Sequence, residues 1–107
     1  MAYTTRLAWE TMRVFNSASL TGGYDAIGTP LTHPSAKCKL VNNSTVLVTV
    51  SIDGSTDIDV APANSFWLYD EQITQSHEGL PKGTQIYIKG SAGSGNIYLV
   101  TQYLVTT

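Results

Sequence analysis

The densest group of chemistry-bearing side chains is Asp53-Gly-Ser-Thr-Asp57-Ile-Asp59, three carboxylates within seven residues. Hard cations such as Ca²⁺ take oxygen ligands from clusters of this kind. The spacing is not that of an EF-hand loop, because Asn64 rather than Glu stands at the twelfth position and Gly54 is out of place. A hairpin turn carrying solvated acids explains the same residues, since Asp-Gly tolerates positive φ and closes tight turns. No metal is expected there.

The remaining candidates are sparser. His33, Cys38 and His77 could supply soft-metal ligands, but none of their spacings matches a structural zinc motif. A nucleophilic Cys38 paired with either histidine conflicts with a strand pattern that turns Cys38 inward, where a thiol behaves as a small hydrophobe. Gly90 to Gly95 lacks the Lys-Ser/Thr ending of a phosphate loop and precedes a strand rather than a helix, so it reads as a hairpin connection. Asn42-Asn-Ser44 and Asn43-Ser-Thr45 match the glycosylation acceptor pattern, without consequence in a chain showing no signal peptide. Trp67, Tyr69 and Tyr87, placed on outward faces, are candidates for stacking on glycans or bases, although sandwich cores need aromatics too. No acid–base pair or nucleophile constellation emerges, so neither an enzyme nor a cofactor is expected.

Composition sets the frame for these residues. A chain of 107 residues leaves room for one domain. Only 13% of residues are charged, and threonine is as frequent as Lys, Arg, Asp and Glu combined, so the surface must be polar and uncharged. A net charge of −2 gives no field to gather nucleic acid or an anionic membrane, and neither is expected as a partner. The longest apolar run is too short for a transmembrane helix, and Met1-Ala-Tyr-Thr-Thr-Arg6 has no apolar signal core. With a single cysteine, this predicts synthesis in a reducing cytosol.

From Ala36 onward the sequence alternates with period two between Gly, Asn, Pro and Ser punctuation, the pattern of antiparallel strands with one buried face. Ala36, Cys38 and Leu40 share the inward face of a strand over 36–41, and Asn42-Asn-Ser44 supplies a turn. Thr45 to Ile52 is the strongest strand, with Val46, Val48, Val50 and Ile52 inside, and Ile58-Asp-Val60 folds back against it. Pro62-Ala-Asn64 turns into the strand Ser65 to Asp70, with Phe66 and Leu68 on one face and Trp67 and Tyr69 on the other. Residues 71–79 read as a loop, 84–89 as a strand placing Ile86 and Ile88 inside, and 96–105 as a central strand. Tyr24 to Leu31 suggests a short edge strand ended by Pro30. Seven or eight strands in one domain predict an all-β fold, a single antiparallel β-sandwich or small jelly roll over 21–107. Residues 1–20 form an N-terminal arm or first strand.

Leu40-Val-Asn-Asn-Ser-Thr, Val50-Ser-Ile-Asp-Gly-Ser-Thr-Asp57, Pro62-Ala-Asn-Ser-Phe66 with Tyr69-Asp70, and Lys82-Gly-Thr-Gln-Ile-Tyr-Ile-Lys89 before a Gly-rich turn resemble small virion-associated proteins of tailed bacteriophages. The resemblance covers about residues 36–103, and the opening Met1-Ala-Tyr-Thr-Thr-Arg-Leu7 is also similar. It rests on turns and core positions rather than catalytic groups. It implies a non-enzymatic particle component, a capsid decoration (cement) protein or a head–tail junction component, made in the host cytoplasm and contacting itself and other virion proteins. The alternative is an exposed virion module gripping host glycans. Leu7, Trp9, Met12, Val14 and Phe15 lie in a region with no clean strand period, and large apolar groups there call for a partner surface. They are the expected subunit interface of a homo-oligomer or lattice.

Overall fold

A computed structural model describes residues 5–70 and 80–106. It contains nine strands and one 3₁₀ turn: β1 (Thr5–Trp9), β2 (Arg13–Asn16), the turn Ser17–Ser19, β3 (Tyr24–Ala26), β4 (Lys37–Ser44), β5 (Val48–Ser51), β6 (Asp59–Ala61), β7 (Ser65–Asp70), β8 (Tyr87–Lys89) and β9 (Gly95–Thr106). All pairings are antiparallel. One sheet runs β1-β9-β4-β7, with β2 also on β9, and the other runs β3-β8-β5-β6. The two pack as a sandwich-like domain, the all-β architecture expected from the alternation.

The core is built by that alternation. Cys38 and Leu40 of β4, Ile97 and Leu99 of β9 and Trp67 of β7 face Val48, Val50 and Ile88 of the second sheet. Ile27, Leu31, Leu80 and Ile86 fill the space beneath the irregular chain joining β3 to β4 and leading into β8. Each such Leu or Ile contributes about 1.5–3 kcal/mol by leaving water. β9 is the spine: its twelve residues span roughly 40 Å and pair β4 along one side and β1 and β2 along the other.

Several local expectations are corrected. Asn42-Asn-Ser44 is not a turn but the end of β4, and Asn42 is fully buried. Its amide nitrogen donates to the carbonyls of Val46 and Ala61, both at 2.8 Å, and its oxygen accepts from the Ser44 hydroxyl. A buried side chain so satisfied can end a strand from inside the core. The turn falls at residues 45–47 instead, so β5 is shorter than 45–52. Val46 is only half-buried, and Ile52 is 37% exposed rather than core. The strand stops at Ser51 because its hydroxyl accepts the Gly54 N–H at 3.0 Å and turns the chain. The β5–β6 connection is a loop over 52–58, wider than a two-residue hairpin. Gly90 to Gly95 is no hairpin either, since β8 and β9 belong to different sheets. The strand expected over 84–89 shortens to Tyr87–Lys89, and the edge strand ends at Ala26 rather than Pro30. These stretches still run side by side, with Ile27 N–H to Ile86 O at 3.0 Å and Leu31 N–H to Thr84 O at 2.9 Å. Residues 71–79, expected as a loop, lie outside the described residues.

Between β1 and β2 the pairing gains one residue. Trp9 pairs Gln102 and Arg13 pairs Leu99, so three residues on this edge face two on β9. This is a β-bulge, and it reverses which alternate residues face the core.

Candidate docking face

The bulge sends Glu10 and Arg13 inward together. Arg13 is 7% exposed; its Nε donates to Thr29 O at 2.7 Å, and its terminal nitrogens donate to Glu10 Oε1 at 2.8 Å, Pro30 O at 3.1 Å and Thr101 Oγ1 at 3.2 Å. The Glu10 side chain, 5% exposed, also accepts from the backbone N–H groups of His33 at 2.8 Å and Thr32 at 3.2 Å, with His33 Nδ1 at 3.0 Å. Burial alone would raise the Glu10 pKa, but the hydrogen bonds from Arg13, His33 and Thr32 outweigh it and hold the carboxyl below its ordinary range. The His33 ring in turn stacks on Tyr103, with centroids 3.7 Å apart. Gly28 passes so close that a Cβ there would lie 2.6 Å from the Arg13 side chain. The network straps the loop after β3 onto the N-terminal edge and fixes how that edge presents its outer face.

The five apolar residues of this segment divide accordingly. Phe15 turns inward and packs against the core, and Leu7 is half-buried. Trp9 at 63%, Met12 at 50% and Val14 at 50% are exposed. Register places Trp9 beside Gln102 and Val14 beside Tyr98, on the sheet face turned away from the core. The row continues across the sheet as Val14, Tyr98, Val41 and Phe66, one residue from each of β2, β9, β4 and β7. This row is therefore apolar over four strands, and it is exposed at both ends, at Val14 and at Phe66.

The other candidates resolve differently. Trp67 is buried and Tyr69 and Tyr87 are half-buried, so the outward aromatics described on the first sheet are Trp9, Phe66 and Tyr98 instead. Period-two alternation separates the two sides of β7 but does not say which side is inside; the larger Trp67 takes the core. Asp53, Asp57 and Asp59 do not converge. Asp53 accepts the N–H groups of Ser55 and Thr56, each at 2.8 Å, and the Ser51 hydroxyl at 2.9 Å, which hold its carboxyl far below the usual range. Asp57 accepts from Tyr24 and Lys89, both of which lower its pKa, and Asp59 accepts its neighbour Val60 N–H at 2.8 Å. Among the described residues no group of three His, Cys, Asp or Glu is placed to hold a metal. Cys38 is fully buried, and that burial pushes its thiol up to about 12. His77 lies outside the described residues.

The arrangement is an exposed apolar edge backed by the buried Arg13–Glu10 ion pair. Comparison with protein-family models and with curated proteins finds no match to this chain.

Proposed function

We propose that this protein is a non-enzymatic structural subunit of a tailed-bacteriophage particle, made in the host cytoplasm and held in the capsid or head–tail region by contacts with its own copies and other virion proteins. The observation that carries the reading is the exposure of Trp9 and Val14 on the edge strands β1 and β2 and of Met12 in the bulge between them. The sequence resemblance to small virion-associated proteins points the same way. Covering the exposed half of such side chains yields about 1 kcal/mol or more for each. Repetition over many identical contacts multiplies that gain.

The test is to replace Trp9 and Met12 by Ser and Val14 by Thr. Deleting the segment would remove Arg13 and Phe15 as well, and so confuse docking with folding. The expected variant unfolds as cooperatively as the parent and within a few degrees of it, but is lost from purified particles. Unchanged incorporation would refute the reading.

A further inference from the structure

Next to the N-terminal edge on the same face, starting one strand spacing from it, a groove of about 440 Å³ opens between β4, β7 and β9. Val41 and Tyr98 form its floor, Phe66 stands at its side, Asn43 and Asn64 close one end and Lys39 the other. Its volume is that of small-molecule sites, which combine an apolar floor with a few polar groups.

Three polar groups of the lining are unspent. Asn43 and Asn64 make no side-chain hydrogen bond among the described residues, and Asn64 is held at φ 57 at the turn into β7. Lys37 has Asp70 opposite it and pairs with it at 3.7 Å, whereas the neighbours opposite Lys39 are Leu68 and Val100. Among the described residues Lys39 has no ion pair. From Lys39 to Asn43 along β4 is about 13 Å. The groove therefore orders an ammonium, an aromatic and aliphatic middle, and two planar amides in line.

We infer that this groove binds an acidic saccharide, its carboxylate on Lys39, a sugar ring against Phe66 and Tyr98, and its hydroxyls on the amides of Asn43 and Asn64. Aromatic faces are electron-rich and attract the C–H side of a sugar ring. Amides both donate and accept, as hydroxyls require. The lone ammonium selects the carboxylate by a charge-assisted hydrogen bond. The site shares no residue with Trp9, Met12 and Val14, although its floor residue Tyr98 pairs with Val14.

The experiment is an ¹⁵N-detected titration of the intact chain with the acidic disaccharide cellobiouronate and, separately, with its neutral counterpart cellobiose. The expected result is saturable shifts of the Asn43 and Asn64 side-chain amides, stronger for the acid. Lys39→Gln should weaken the acid about tenfold and leave cellobiose unchanged. Phe66→Ala, at a position 58% exposed, should weaken both without unfolding the chain. Substituting Trp9 and Met12 alone, neither of which pairs with a groove residue, should leave the titration as it is, so that a failure of docking and a failure of sugar binding are separable. The inference is overturned if neither sugar moves those amides, or if the two bind alike and Lys39→Gln changes nothing. It is also overturned if the amides broaden with protein concentration alone, which would make the groove a contact between copies.

Discussion

Replacing Arg13 by Leu removes four hydrogen bonds at once, to Thr29 O, Pro30 O, Thr101 Oγ1 and Glu10 Oε1. It leaves two carbonyls and a hydroxyl short of a donor and a buried carboxylate without its cation. Breaking a buried pair from one side costs about 3–5 kcal/mol, a large part of the roughly 5–15 kcal/mol that holds a domain together. Urea unfolding at neutral pH measures the loss directly. Glu10→Gln combined with Arg13→Leu should cost less than the two single changes summed, by about 1 kcal/mol or more, because neutralising Glu10 removes the orphaned charge. Acid adds a second readout. The Glu10 carboxyl is held below its ordinary value of 4.5, so its contribution is present above that pH and is lost as pH falls through the depressed folded value. In Arg13→Leu one of the bonds that lowers it is gone, and this acid-dependent loss should shrink. A cost under about 1 kcal/mol for Arg13→Leu, or strict additivity in the double variant, would refute the strap.

Asn42→Ala should destabilise by about 1–3 kcal/mol in the same assay, since the carbonyls of Val46 and Ala61 lose a buried donor. Cys38, buried and with its thiol pushed up to about 12, should react with a thiol reagent at neutral pH only in urea-unfolded protein, and rapid labelling of the native chain would contradict its placement.

The parts of the fold that were legible in the sequence are those where one residue in two is buried without interruption. Cys38 and Leu40, Val48 and Val50, and Ile86 and Ile88 satisfy that rule, and the structure buries all six. Reading failed where a polar side chain replaces an apolar one inside. Asn42 and Ser51 are buried because their hydrogen bonds are met locally, and Asn-Asn-Ser carries a turn signal that those bonds override. Residues 5–16 showed no clean period for a definite reason. The extra residue between Trp9 and Arg13 shifts the alternation by one, so neither a helical nor a strand template fits across it. The docking face was half legible. Trp9, Met12 and Val14 were apolar without an obvious place, but Tyr98 and Phe66 needed the pairing register before they could be set beside Val14. The Lys39 groove left no sequence signal, because its residues come from three separate strands.

β9 follows β1, β2 and β4 in the chain and is the strand that all three of them pair with. During synthesis, these earlier strands therefore leave the ribosome without the neighbour that satisfies their backbone groups, and the first sheet cannot close until β9 emerges. The dependence of this sheet on pairing between strands far apart in the chain places folding in the slow range of small β-domains, about milliseconds to seconds. Until that moment the open edge of β4 is a template for any passing strand. A nascent chain stalled before residue 95 would be a hazard for aggregation in a way that the finished protein is not.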